Sequence, residues 1–174
     1  MTTVQLAPSQ PEARPQVTVC QSDEYQELAD IFIEMNCWHY PGVVINKEEM
    51  TGYLQHRVLA PRSGTAVYKV TLQRNVVAFA CVSVMYPAPR FSGQMFIKEL
   101  FVSAAYRRQG IGKLLMQFIA RQACEQECYR LDWLSSATDK KVQAFYQAAG
   151  GQVIEGMNYH RLFGDDLSVL AQGR

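Results

Sequence analysis

The sequence predicts a single α/β (α+β) domain, and three observations carry that reading. Residues 96–118 run from a stretch rich in aromatic and aliphatic side chains (Phe96, Ile97, Leu100, Phe101, Val102) through a basic loop into a segment whose apolar residues, Ile111, Leu114, Leu115, Phe118 and Ile119, fall on one helix face. Two strand-like runs at 65–71 and 76–85 flank Gln73, Arg74 and Asn75, which is the pattern of a hairpin. A further short run at 130–134 is separated from 96–102 by that helix, so the two strands are expected to be parallel.

The remaining elements follow in chain order. Residues 1–15 hold Pro8, Pro11 and Pro15 among Gln, Ser and Glu and are expected to form a flexible tail, with 16–174 as one domain. Residues 17–20 alternate and predict the first strand. Ser22 is placed to cap a helix whose stripe of Tyr25, Leu28, Ala29, Phe32 and Ile33 ends near Met35. Residues 36–46 then read as a loop carrying Cys37, Trp38, His39, Tyr40 and Pro41-Gly42. Aromatic residues on such a loop either line a pocket or cap the end of the core. Asn46 caps a second helix at 47–59. Beyond the central helix at 110–127, Val142, Phe145, Tyr146 and Ala149 form the stripe of a helix over 139–149 that stops at Gly150-Gly151. Residues 152–163 suggest two short strands around Gly156, and 165–170 a short helix.

Bulk properties exclude several classes. The 174 residues suffice for one domain with a substantial core. Hydrophobic residues make up 48% and charged ones 19%, as in a globular protein, and a net charge of +1 gives no global field for nucleic acid or a membrane surface. No apolar run of about 18 residues predicts a membrane span, and residues 1–7 lack the charged start and apolar centre of a signal peptide. Five cysteines, an odd number, are expected as reduced thiols in a cytoplasmic protein. Cys124 and Cys128 are four apart without partner ligands, so no metal is expected.

The junction at 103–113 carries the chemistry. The first amides of a helix have no intrahelical acceptor, and the helix dipole makes that end partly positive. Gly110 and Gly112 let a ligand approach those amides, and Arg107, Arg108 and Lys113 add positive charge, which suits a pyrophosphate. A turn whose glycines serve only packing is the alternative. Leu114 after Lys113 leaves no hydroxyl for a Walker loop, and Leu115 stands where a dinucleotide fingerprint needs its third glycine.

Arg107-Arg108-Gln109-Gly110-Ile111-Gly112 resembles the acetyl-CoA pyrophosphate loop of the GNAT superfamily of N-acetyltransferases, and the preceding Leu100-Phe101-Val102 is similar to that family's fourth strand, whose backbone pairs with the pantetheine arm. Asp139-x-x-Val142-x-x-Phe145-Tyr146-x-x-x-Gly150 resembles the family's second block, with Asp139 in place of the usual Asn and Val142 in place of Ala. The resemblance implies a central mixed, mostly antiparallel twisted sheet of six to seven strands, flanked by about four helices, with a splayed strand pair holding acetyl-CoA. It implies coenzyme contacts from Leu100, Phe101, Val102, Arg107, Arg108, Gln109, Gly110, Ile111, Gly112, Lys113 and Asp139, and no metal. Tyr146 would lie beside the coenzyme sulfur and protonate the leaving thiolate.

At neutral pH an aliphatic amine is protonated and must lose that proton before it attacks. Glu99 on the central strand is the candidate base, or else it merely pairs with Lys98 or Arg130. Backbone N–H groups near 100–102 are candidate oxyanion donors. Lys98-Glu99-Leu100-Phe101-Val102 is similar to the Glu-Asp-hydrophobic-Phe-Val strand of the diamine and polyamine acetyltransferase branch, as is the ending Tyr159-His160-Arg161-Leu162-Phe163. Lys98 departs from that pattern and would repel a dication. Candidate acceptor contacts are Glu34, which is otherwise a solvated surface residue, together with Trp38, Tyr40 and Asp132. The expected activity is acetyl-CoA-dependent N-acetylation of a small primary amine by a homodimer. The alternatives are a protein or peptide N-acetyltransferase and a non-catalytic acyl-CoA sensor.

Overall fold

In this computed structural model residues 14–173 are described; most of the expected tail, residues 1–13, and Arg174 lie outside them. Two compact units divide the chain, one ending at Ser135 and the other Ser136–Arg174.

The first unit is built on a five-stranded sheet in the order β1-β2-β3-β4-β5. Its strands are β1 (Gln16–Val19), β2 (Ala66–Leu72), β3 (Asn75–Ala88), β4 (Ser92–Val102) and β5 (Cys128–Trp133). The first three pairings are antiparallel and β4–β5 is parallel, so the sheet is mixed and mostly antiparallel as expected. The β2–β3 hairpin turns at Gln73 and Arg74, both at positive φ (50° and 68°), the backbone a two-residue hairpin loop requires.

A bulge in β4 reverses its side-chain alternation. Cys81 of β3 is opposite Glu99, but the next residue, Val82, is opposite Ile97, which leaves Lys98 as the extra residue. Successive residues of β3 face opposite sides of the sheet. Glu99 and Phe101 therefore share the face of Cys81, while Ile97 lies on the other face with Val82. Strict alternation along β4 would have placed Ile97 and Glu99 together.

Helices cover both faces of this sheet. On one side α1 (Tyr25–His39) buries Leu28, Ala29, Ile31 and Phe32. These pack in one cluster with Val67, Phe79, Cys81 and Phe101. The Phe32 and Phe79 rings stack at 4.1 Å; burying a side chain of that size contributes roughly 2–3 kcal/mol. The cluster also takes Met50 of α2 (Lys47–Tyr53) and Leu54 from the wider π-helical turn that continues α2 through Val58. The Asn46 side chain caps α2 as expected, accepting from the Glu48 and Glu49 amides. On the other side α3 (Ile111–Glu125) buries Ile111, Leu115, Met116, Ile119 and Ala123, and Phe118 meets Tyr68 edge-on.

Two expectations fail at α1. The helix does not end near Met35 but runs on to His39, so Cys37, Trp38 and His39 are helical rather than in a loop. Nothing in 36–39 breaks a helix; Pro41 and Gly42 do so later. Its N-cap is Glu24, not Ser22, and the Glu24 carboxylate instead accepts from the Gln21 amide at 2.7 Å.

The second unit contains α4 (Lys140–Ala148) and α5 (Asp165–Ala171). Asp139 Oδ1 caps α4 by accepting from the Lys141 and Val142 amides at 2.9 and 3.1 Å. Gly150, at φ 90°, ends it, and the Gly151 amide donates to the Tyr146 carbonyl. Residues 152–163 form no strand, contrary to expectation. This corrects the expected six to seven strands to five among the described residues. A strand exists only as a member of a ladder, and an alternating sequence does not supply its partner. Five α-helices occur among the described residues rather than about four, the fifth being the short one expected at 165–170.

Candidate active site

The bulge and the strand lengths shape the site. Pairing between β4 and β5 stops at Ile97 and Trp133, whereas β4 stays paired with β3 as far as Val102 opposite Ala78. From Lys98 to Val102 no strand among the described residues pairs with the other edge of β4. That edge offers backbone donors and acceptors to an extended ligand.

The chain then turns into α3, and hydrogen bonds from Ser103, Ala104 and Arg107 tie the turn to its surroundings. The Ser103 amide donates to the Val77 carbonyl at 2.9 Å. The Ala104 amide donates to Glu34 Oε1 at 2.8 Å. Arg107 Nε donates to the Val102 carbonyl at 2.9 Å. The Arg107 guanidinium lies 4.1 Å from the centroid of the Trp38 ring and 5.4 Å from that of Phe101. Glu34 and Trp38 are four apart on α1, hence on one face, and both reach the β4–α3 turn.

Arg108 follows at φ 65° and is exposed, and Gln109 Nε2 donates to the Ala105 carbonyl. Gly110 is the N-cap of α3, at φ 79°, with no side chain capping the helix. The first bond of the helix runs from the Leu114 amide to the Gly110 carbonyl. The Ile111, Gly112 and Lys113 amides precede it and form the partly positive end that suits a phosphate.

Glu99 faces α1, and its Oε1 lies 3.6 Å from His39 Nε2. Cys81, opposite it on β3, has its thiol pushed up to about 12, first by burial and then by the charge of Glu99. Glu99 contacts neither of the two partners anticipated for it, Lys98 or Arg130, in an ion pair. Arg130 instead pairs with Asp132 at 3.3 Å and donates to Gln94 at 2.6 Å, and Gln94 donates to Asp132 at 2.6 Å. Asp132 is thus engaged in a polar triad across β4 and β5. Tyr40, just after α1, is exposed, with its ring 6.4 Å from that of His39.

The structure therefore brings Glu34, Trp38, Arg107 and the backbone of 102–104 together, and it sets Glu99 against His39. Asp139 and Tyr146 belong to the second unit, where Asp139 caps α4 and the Tyr146 ring meets Phe145 edge-on at 5.0 Å. From the sequence His39 is one residue of the expected 36–46 loop and not a site candidate. Continuing the helical count past Met35 would have placed it one residue after Trp38 at the end of α1.

The chain is similar to several known proteins. A family profile described as the acetyltransferase (GNAT) family matches residues 25–150. The L-ornithine N5-acetyltransferase NATA1 of Arabidopsis thaliana is 30% identical over 95 residues, 55% of this chain and 42% of its own. The chain thus spans less than half of that relative. Among solved structures, the integron cassette protein VCH_CASS6 from the mobile metagenome of V. cholerae superposes with a TM-score of 0.88 at 33% identity, covering 91% of this chain and 98% of that one. An aminoglycoside N-acetyltransferase AAC(6')-Iy, solved with CoA, gives 0.69 at 16% identity over 90% of this chain and 99% of its own, a likeness of fold alone.

Proposed function

This chain belongs to the acetyltransferase (GNAT) family, and from that premise we propose that it moves an acetyl group from acetyl-CoA to a primary amine of a small molecule, an amino acid or diamine. The observation that carries the proposal is the edge of β4 from Lys98 to Val102, which no strand among the described residues covers, followed through one turn by the uncapped amides of Ile111, Gly112 and Lys113. A pantetheine amide chain fits the first and a pyrophosphate the second. No bound metal enters the reading, and no group of three or more metal-ligating side chains occurs among the described residues.

Acetyl-CoA supplies a thioester carbonyl that an amine can attack and a thiol that departs. The chain's own residues do the rest. Glu99, on the α1 face beside the free β4 edge, takes the proton of the acceptor ammonium. Backbone N–H groups of 100–102 polarise the carbonyl. Arg107, Arg108 and Lys113 hold the phosphates with the helix amides, Arg107 being kept in place by the Trp38 ring. Tyr146 gives its phenolic proton to the leaving sulfur, a role that rests on its place in the second family block. Tyr40 is assigned to the acceptor side, with Glu34, Trp38 and Asp132 less directly placed there because the Ala104 amide, Arg107, and Gln94 with Arg130 already engage them. The likeness to an ornithine acetyltransferase favours an aliphatic amine of this size. A cytoplasmic homodimer is the setting we propose for it.

The test is thiol release from acetyl-CoA with ornithine, other amino acids, diamines, aminoglycosides and N-terminal peptides. Turnover of a small aliphatic amine is expected, and Tyr146→Phe should lower kcat at least tenfold while leaving coenzyme binding intact. Turnover of peptides alone would make the protein a peptide N-acetyltransferase. Coenzyme binding without turnover of any amine would make it a sensor.

A further inference from the structure

We propose that His39 is a positioning residue that carries away the proton Glu99 removes from the acceptor amine, so that α1 and β4 together form a proton exit. This rests on the reading of Glu99 as the base. Three observations support it. His39 Nε2 is 3.6 Å from Glu99 Oε1, within ion-pair range though longer than a hydrogen bond. The Glu99 side chain is 29% exposed and that of His39 46%, so the pair steps outward from the strand toward water. The β4 bulge at Lys98 is what turns Glu99 onto the α1 face, where His39 waits at the last residue of the helix.

Such a partner gives the proton a direct path. A carboxylate is a weak base toward an alkylammonium and, once protonated, must be reset before the next turnover. An imidazole ordinarily titrates nearer neutrality and accepts that proton more readily. In the proposed sequence the N–H electron pair stays on the amine nitrogen and the proton passes to Glu99 Oε1. The carboxylic acid then gives it to His39 Nε2, which restores the carboxylate. The imidazolium so formed is paired with that carboxylate and releases its proton to solvent. No other reactant is required. The charged and titratable groups around the pair are Tyr40 on the α1 side, Cys81 opposite Glu99 on β3 and Lys98 beside it on β4. Lys98 is exposed, and the Cys81 thiol stays protonated, so neither competes for the proton.

The experiment has two arms. In the ligand-free protein, the ring resonances of His39, assigned by their loss in His39→Gln, are followed across pH with and without Glu99→Gln. Removal of the carboxylate is expected to move those resonances, and resonances unmoved at every pH would overturn the pairing whether or not the protein is an acetyltransferase. In the rate arm, with an amine that the wild type acetylates, His39→Ala should lower kcat about tenfold or more and leave the KM for acetyl-CoA and the melting temperature unchanged. Free imidazole in the buffer should restore several-fold of the loss, and it should do nothing for Glu99→Gln. A kcat within twofold of wild type, or a loss that imidazole leaves untouched, would overturn the proposal. A wild type that acetylates no amine would refute the functional reading instead, and the resonance arm would still decide the pairing.

Discussion

Glu34 Oε1 accepts a hydrogen bond from the Ala104 amide at 2.8 Å and so ties α1 to the turn that leads into α3, across 70 residues of chain. The bond is exposed, so its net contribution is about 1 kcal/mol. Its larger effect is positional. With Trp38 stacked on Arg107 one helical turn further on, it fixes the turn from α1. Glu34→Ala is expected to speed hydrogen exchange at the Ala104 amide and to weaken CoA binding about three- to tenfold by calorimetry, with little change in melting temperature. Unchanged exchange would show that the turn does not depend on this contact.

Gly110 sits at φ 79°, and a Cβ added there would meet no atom within 4 Å. Gly110→Ala therefore probes backbone conformation rather than crowding. An L-residue in the left-handed region costs about 1–2 kcal/mol, so the variant should melt roughly 2–8 °C lower. Its coenzyme affinity should fall further than stability alone requires, because relaxation of the cap re-aims the Ile111 and Gly112 amides. Thermal melting and CoA titration of the same sample separate the two effects.

Lys69 is 5% exposed in the middle of β2 and is held by Glu27 at 2.7 Å and Glu24 at 2.9 Å, both from the start of α1 and the residue that caps it. Burial alone would depress its ammonium, but the bonds to Glu27 and Glu24 outweigh it and raise the group above its ordinary 10.5. The Glu24 carboxyl is held below its ordinary 4.5, chiefly by the Gln21 amide and, against some burial, by Lys69. For Lys69 the stabilisation is complete below pH 10.5 and is lost as pH rises through the higher folded value. For Glu24 it is complete above about 4.5 and is lost as pH falls through the lower folded value. The cluster should thus give a flat stability plateau between these limits. Lys69→Met should lower stability on that plateau by about 2 kcal/mol, between a buried and a surface pair, and lessen the alkaline decline, part of which stays because the buried Cys20 and Cys81 thiols lose stability as pH rises from 9.0 toward about 12. Melting curves from pH 4 to about 11 test this.

The cysteines should divide by reactivity. Burial pushes the Cys20 and Cys81 thiols up to about 12, so neither forms thiolate near neutrality. Cys37 and Cys124 are exposed. Brief alkylation of the native protein at about pH 8, read by peptide mass spectrometry, should label Cys37 and Cys124 first and leave Cys20 and Cys81 unmodified until the protein is denatured. Early labelling of Cys81 would contradict the packing of β3 against α1.

The parts of this fold that depend on nearby residues were legible in the sequence. The cap at Asn46, the Gln73-Arg74 turn, the stripe of α3 and the glycine at its start each announce themselves within a few positions. What escaped depended on distant partners. Whether Val153, Ile154 and Tyr159 join a ladder is decided by backbone elsewhere, and no local pattern reports it. The bulge at Lys98 is visible only in the register of β3 against β4, and it alone decides which face Glu99 occupies. The pair of His39 with Glu99 needed both the extension of α1 and that bulge. The extension of α1 could have been counted past Met35, but the bulge could not.

The central claim is that a diphosphate rests on the first amides of α3 while its acyl arm lies along the free edge of β4. The most direct measurement is a titration of the 15N-labelled protein with CoA, followed amide by amide. The account predicts the largest shifts at Gly110, Ile111, Gly112 and Lys113, with a second group at 99–102 that dephosphorylated pantetheine alone reproduces. Shifts confined to other elements, or no change on adding CoA at millimolar concentration, would contradict it.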